Sequence, residues 1–289
     1  MCRLFGMTAS PERVRATFWL LEAPDSLARQ SRREPDGTGL GVFRADGTPD
    51  VEKQPLAAYQ DRQFAEEAKE RESTTFLAHV RYASNGGLDP RNTHPFTQRG
   101  RIFAHNGVIG DLDTLDDALG EYRDLVRGDT DSERFFALIT RSIDRHDGDI
   151  TAGITEAAHW VAERLGVFAI NMILTTPSEL WALRYPDTHD LFVLQRAAGG
   201  GHGDRHLEHA SPAGRIRARS GALAEHPAVV VASEKMDEDP GWQNLRSGEL
   251  LHVGRDLAVT RQVVLDRPPR RRLTLDDLGA HAKASQTGR

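Results

Sequence analysis

The only cysteine in this 289-residue chain is its second residue. One thiol excludes an intramolecular disulfide, so whatever the chain folds into must be held by its buried core. Hydrophobic residues make up 38% and charged residues 28%, which suits one large domain or two small ones in water. The position of the cysteine matters as much as its number. With Met1 removed, Cys2 carries a thiol and a free α-amino group on one residue. The thiolate is the nucleophilic form of cysteine, and an α-amino group of ordinary pKa, about 7.7–8.0, is a base near neutral pH. A nucleophile paired with its own terminal amine is one established arrangement. Beside that reading stands a plainer one, in which Cys2 is a small hydrophobe opening a buried strand.

Composition narrows the alternatives. With 37 basic and 43 acidic residues the formal charge is −6, which does not point to a nucleic-acid or acidic-membrane partner. A lone cysteine at position 2 argues against a structural zinc site. No apolar run approaches the roughly 20 residues of a membrane span, and no basic start followed by an apolar stretch marks a signal peptide. The expected location is the cytoplasm, where a reducing medium suits a working thiol.

Along the chain, residues 2–9 read as a short buried strand, and residues 12–22 as a helix with Pro11 at its first turn. A further helical piece follows Asp25. Gly37, Gly39 and Gly41 alternate with other residues and run into a strand; they do not open a helix, so a dinucleotide-binding loop is rejected. They suit either a strand passing close to another group or an ordinary turn. Asp46-Gly47 is a hairpin signal between strands near 39–44 and 50–54. Residues 61–72 are helix-prone. Strands near 74–82 and 101–105 each run into clusters of polar and glycine residues, Ala83-Ser84-Asn85-Gly86-Gly87 and Asn106-Gly107, the kind of place where functional residues sit. Helices are expected near 111–120, from Thr130 or Asp131 to His146, and over 150–165. Strands follow near 168–176, 180–185, 191–195 and 227–233, with a hairpin over 249–265. The His- and Gly-rich stretch 197–226 reads as a long loop; the glycines around His202, His206 and His209 disfavour a rigid metal site. The expected organisation is one domain over 1–265 with a charged C-terminal tail, 266–289, that frays. The order of elements indicates a mixed α+β layered fold with largely antiparallel sheets.

Six segments occur in order over residues 1–135: Met1-Cys2-Arg3-Leu4, Asp36-Gly37-Thr38-Gly39, His79-Val80-Arg81, Asn92-Thr93-His94-Pro95-Phe96, His105-Asn106-Gly107 and Gly128-Asp129-Thr130-Asp131-Ser132-Glu133. In these the chain resembles the class II, N-terminal-nucleophile, glutamine amidotransferases. Val230-Val231-Ala232-Ser233-Glu234 and Asp239-Pro240-Gly241-Trp242 resemble their stand-alone branch, which includes the ergothioneine-pathway amidohydrolase and uncharacterised bacterial members. The resemblance implies a four-layered αββα sandwich of two antiparallel sheets. It implies Cys2 as nucleophile with its own amine as base, acting through a water, and an oxyanion hole from the Asn106 side chain and the Gly107 N–H. It implies Arg81 on the substrate α-carboxylate, Asp131 on its α-ammonium, and Ser84 as a hydroxyl contact.

For Arg81 the plainer alternative is a surface ion pair, and for Asp131 a helix cap. One departure stands out: many members have a tryptophan and Ala-Thr-His-Gly after the arginine, whereas this chain has Tyr82-Ala83-Ser84-Asn85-Gly86. That puts strict glutamine specificity in doubt. His79, His94 and His105 read as structural hydrogen-bonders. The function implied is hydrolysis of a γ-glutamyl amide, glutamine or a larger compound, with no metal or organic cofactor. A separate ammonia-using synthase is the protein partner such a reaction allows. The contrasting expectation is a catalytically silent or regulatory subunit that binds a partner enzyme.

Overall fold

The computed structural model describes residues 2–32, 37–81, 89–198, 208–210, 217–219, 223 and 225–287. Its strands are β1 (Arg3–Thr8), β2 (Gly37–Phe43), β3 (Pro49–Gln54), β4 (Thr75–Arg81), β5 (Phe96–Gln98), β6 (Arg101–Ile109), β7 (Gly166–Thr175), β8 (Leu180–Arg184), β9 (Phe192–Arg196), β10 (Glu208–Ala210), β11 (Arg217–Arg219), β12 (Ala228–Ala232), β13 (Gln243–Asn244), β14 (Glu249–Val253), β15 (Val259–Val263) and β16 (Arg271–Arg272). The helices are α1 (Leu27–Gln30), α2 (Arg62–Glu70), α3 (Leu112–Leu119), α4 (Asp131–Arg145), α5 (Ile150–Arg164) and α6 (Ala280–Thr287).

Two seven-stranded sheets form the middle of the molecule. One runs β13-β9-β12-β1-β4-β2-β3; the other runs β15-β14-β8-β7-β6-β5, with β16 added parallel to β7. Their other pairings are antiparallel. The strand period of two sorts each strand's residues onto the two faces. Leu4, Leu77, Ile102, Ala104, Ile173 and Ala182 meet between the sheets. Phe5, Met7, Leu40, Phe76 and Val230 point the other way, onto α2 and the helical turn Phe18–Glu22. Phe103, Ile170 and Leu174 face α4 and α5. The result is the four-layered α+β sandwich, helix–sheet–sheet–helix, that the family resemblance implies. The sheets approach closely at Gly39, where a Cβ would lie 2.0 Å from the His94 carbonyl oxygen. Of the two roles open to the glycine series, close approach is therefore the one used here.

Several boundaries differ from the sequence expectation. Instead of a helix over 12–22, Val14 bridges to Ser73 and only Phe18–Glu22 is helical, as a π-type turn. Main-chain bonds to Ser73 and the Arg13 guanidinium on the Phe43 carbonyl hold this stretch extended, a tertiary override of local propensity. The strand expected to end at His105 continues through Asn106 and Gly107 to Ile109, because β7 pairs with it all along. Beyond residue 265, where a charged tail is expected, the chain forms β16 and α6 and buries Ala282 against Val108, Phe168 and Ala169. Of the stretch 197–226, β10 and β11 pair antiparallel; His202 and His206 lie outside the described residues.

Glu22 closes the π-type turn, with Oε2 buried and without a hydrogen-bond partner among the described residues. Burial pushes its carboxyl up to about 7, against the pull of Lys69. A carboxyl whose folded pKa lies above its unfolded value of 4.5 favours folding only while protonated. Stability is therefore expected to fall as pH rises from about 4.5 towards about 7 and to level off above that. Glu22→Gln should match wild type at pH 4.5 and exceed it at higher pH by roughly 1–3 kcal/mol, discounted for solvent screening. Urea unfolding of both proteins across that range checks this; coincident curves at pH 8 would refute it.

Candidate active site

The site grows out of the alternation of two strands on facing sheets. Leu4 points into the space between the sheets, so Cys2, two residues earlier, shares that face. On β6, Ile102 and Ala104 point into the same space, and Asn106 follows them. The two meet: Asn106 Nδ2 donates to the Cys2 carbonyl oxygen at 2.8 Å. A carbonyl only accepts, so the orientation of the Asn106 amide is fixed by its partner. One Nδ2 hydrogen remains, and Oδ1 is buried without a partner among the described residues. Cys2 itself is 8% exposed.

Gly107 follows on β6, opposite Ile170. A Cβ there would sit 1.8 Å from the Ala169 carbonyl oxygen and 2.9 Å from His105 Nε2. Only glycine lets the strands pass at this distance.

His105 is buried, with Nε2 3.2 Å from the Ala169 carbonyl and Nδ1 2.9 Å from Ser132 Oγ. Because the carbonyl cannot donate, Nε2 carries the proton and Nδ1 accepts from the Ser132 hydroxyl. Burial holds the imidazole pKa below its ordinary value. Both ring nitrogens are thus engaged in structure, in keeping with the role expected for this histidine. His79 and His94 pack ring on ring, centroids 4.2 Å apart, beside Phe96.

Asp131 opens α4, and Thr130 is the N-cap: its hydroxyl accepts from the Glu133 N–H. The Asp131 carboxylate takes the Ile109 N–H on Oδ2 at 2.8 Å and the Ser132 N–H on Oδ1 at 2.9 Å. It ties the helix start to the end of the strand carrying Asn106 and Gly107. Two N–H bonds leave acceptor capacity on a carboxylate, and the helix N-terminus favours its negative charge. The loop before α4 is braced by Glu133 Oε2, which accepts from the Arg127 and Gly128 N–H groups, and by Asn92 Oδ1, which accepts from the Asp129 N–H. The segments 92–96 and 128–133, separate in sequence, are therefore one structure.

Arg81 is the last residue of β4, paired with Gly37. The β1–β4 register, Arg3 opposite Val80, carried one residue further sets the Cys2 backbone beside Arg81. Ser84 and Met1 lie outside the described residues. The structure thus brings Cys2, Asn106, Gly107, Asp131 and the end of the Arg81 strand to one end of the sandwich.

Asn171, absent from the expected site, stands opposite Asn106 on β7. Its Oδ1 accepts from the Tyr185 N–H, and its Nδ2 reaches the His189 and Asp190 carbonyls at 3.2 Å each. A lone asparagine in the apolar run Phe168 to Thr175 is the sequence signal that marks it. Among the described residues there is no group of three or more His, Cys, Asp or Glu able to hold a metal ion, and no helix long and apolar enough to cross a membrane.

Two antiparallel sheets between helical layers make the N-terminal-nucleophile hydrolase architecture, and comparison with known proteins narrows it further. The profile of the class II glutamine amidotransferases matches residues 1–273, and the chain belongs to that family. It is 33% identical over 135 residues to a probable glutamine amidotransferase, DUG3, of Saccharomyces cerevisiae; the match covers 42% of this chain and 38% of the yeast protein. It is 26% identical over 264 residues to the gamma-glutamyl-hercynylcysteine sulfoxide hydrolase of Mycolicibacterium smegmatis, covering 88% of this chain and 96% of that protein. In fold it resembles the glutamine phosphoribosylpyrophosphate amidotransferase of B. subtilis, with a TM-score of 0.63 at 18% identity over 92% of this chain and 50% of that one.

Proposed function

We propose that the protein hydrolyses a γ-glutamyl amide through a γ-glutamyl thioester on Cys2 after removal of Met1. The observation that supports this reading is the 2.8 Å bond from Asn106 Nδ2 to the Cys2 carbonyl, which joins the Asn106 side chain to the residue proposed as nucleophile. The α-amine of Cys2, through a water, takes the thiol proton as Sγ attacks the amide carbon. The second Nδ2 hydrogen of Asn106 and the N–H of Gly107 stabilise the oxyanion. The C–N bond breaks, and the amine or ammonia leaves with the proton relayed from the terminal amine. Water then attacks the thioester through a second oxyanion, releasing the γ-glutamyl acid and restoring the thiol. Arg81 pairs with the substrate α-carboxylate, Asp131 takes its α-ammonium on the remaining carboxylate lone pairs, and Ser84 adds a hydroxyl contact. The partnerless Asn106 Oδ1 is an acceptor for an N–H of the bound amide or of the Cys2 amine.

The substrate class rests on the family and on the name of the Mycolicibacterium relative, a gamma-glutamyl hydrolase. Glutamine, glutathione and γ-glutamyl thioether amides, assayed for release of the glutamyl product, test it. The expected result is turnover of at least one of them and a γ-glutamyl adduct on Cys2 in the quenched enzyme. No turnover of any member of the panel, alone or with an ammonia-using synthase, would replace the reading with that of a silent or regulatory subunit. An intact mass that retains Met1 in the active protein would sink the amine-as-base mechanism.

A further inference from the structure

We propose that Ser233 and Glu234 are positioning residues that fix the strand carrying Cys2; this rests on Cys2 being the nucleophile. The β1–β12 ladder runs from Thr8 opposite Val229 to Phe5 opposite Ala232. One step further it changes character. The Ser233 N–H still donates to the Leu4 carbonyl at 3.1 Å. The return bond does not go to main chain: the Leu4 N–H donates to Ser233 Oγ at 2.7 Å. The hydroxyl's own hydrogen faces the Leu4 carbonyl at 3.4 Å. A side chain thus replaces the carbonyl that a continuing strand would have offered.

That replacement frees β12 to turn away, and the next residue uses the turn. Glu234 Oε1 meets Arg3 Nη2 at 2.7 Å, with the Arg3 side chain only 4% exposed. On the opposite edge β4 pairs with Leu4 and Arg3 in the ordinary way, as His79 and Val80. Asn106 holds the Cys2 carbonyl from the facing sheet. The thiol and amine of Cys2 are therefore placed from three sides, and on the β12 side the last two holds before the nucleophile are side chains.

A reacting sulfur and its base must be placed within a fraction of an ångström, and a misplacement of about 1 Å costs about a hundredfold in rate. Ser233 is buried, so an alanine there leaves the Leu4 N–H without an acceptor and loosens the strand two residues from the thiol. Glu234→Gln removes a carboxylate charge from beside the Arg3 cation. His189, the titratable group that also feels Arg3, is held below its ordinary pKa chiefly by burial.

The test uses full-length protein carrying Ser233→Ala, Ser233→Thr or Glu234→Gln. It measures steady-state kinetics on the best γ-glutamyl substrate and the pH dependence of Cys2 alkylation by iodoacetamide, read by intact mass. Ser233→Ala is expected to lower kcat about ten- to a hundredfold with KM within about twofold, and Ser233→Thr, which keeps the hydroxyl, to restore most of it. Glu234→Gln is expected to shift the alkylation midpoint to lower pH, because removing a negative charge near the thiol favours the thiolate. A kcat for Ser233→Ala within about twofold of wild type, at a temperature where circular dichroism shows both folded, overturns the assignment. So does an alkylation midpoint unmoved in Glu234→Gln. If wild type turns over no γ-glutamyl amide, the proposed activity fails, and the alkylation profiles still decide the positioning role.

Discussion

Cys2→Ala is expected to lower γ-glutamyl hydrolysis by about 10⁴-fold or more while the protein stays folded. The sulfur is the proposed site of the covalent intermediate, and no other cysteine exists in the chain to take its place. His105 does not substitute as a base, since both its ring nitrogens are bound in the packing of β6 against α4 and β7. Alanine fits where Cys2 sits, and the bond that holds this residue to β6 is made by its main-chain carbonyl, which the substitution keeps. The measurement is glutamate release beside a melting curve. Activity within about tenfold of wild type in a folded Cys2→Ala protein would remove Cys2 from the chemistry.

The proposed oxyanion pair, Asn106 and Gly107, carries the second large expectation. Asn106→Ala removes one proposed donor, and such losses cost about 10²–10³ in kcat. It also leaves the Cys2 carbonyl without its partner from the facing sheet, so some loss of stability accompanies the loss of rate. Gly107→Ala is expected to be worse in both respects. Its Cβ meets the main-chain oxygen of Ala169 at 1.8 Å, an atom that cannot move without parting β6 from β7. The predicted pattern is a kcat loss for Asn106→Ala with a modest fall in melting temperature, and a large fall in both for Gly107→Ala. A Gly107→Ala protein as stable and active as wild type would contradict both the strand geometry and the role given to its N–H.

These expectations join residues that are far apart in sequence, and their legibility there was uneven. Cys2, Asn106-Gly107 and the Asp131 segment stood out because their residue types and order carry the resemblance to the family. The alternating apolar residues of β1, β4 and β7 marked those strands, since a period of two is a local property. Helix starts were similarly local: Thr130 caps α4 through its own hydroxyl. The stretch after Pro11 was not readable in this way, because its extended form depends on Ser73, some sixty residues away. Asn106 and Gly107 read as a strand end, yet they lie inside β6, since the strand that pairs with them comes from residues 166–175. Asn171 is marked locally as a lone asparagine in an apolar run, but that signal does not name its partners, and the bracing of the C-terminal residues against Val108 and Phe168 had no local signature.

The sequence by itself determined which groups are present: one thiol at the second residue, an Asn-Gly pair, an arginine at a strand end and an aspartate at a helix start. It also determined the alternation that sends Cys2 and Asn106 to the inner faces of their strands. Only the tertiary structure decided that those two inner faces oppose each other, and that Ser233 and Glu234 complete the edge of β1. The physical reason is that alternation fixes which face a side chain takes, while the partner across that face is chosen by the packing of the two sheets.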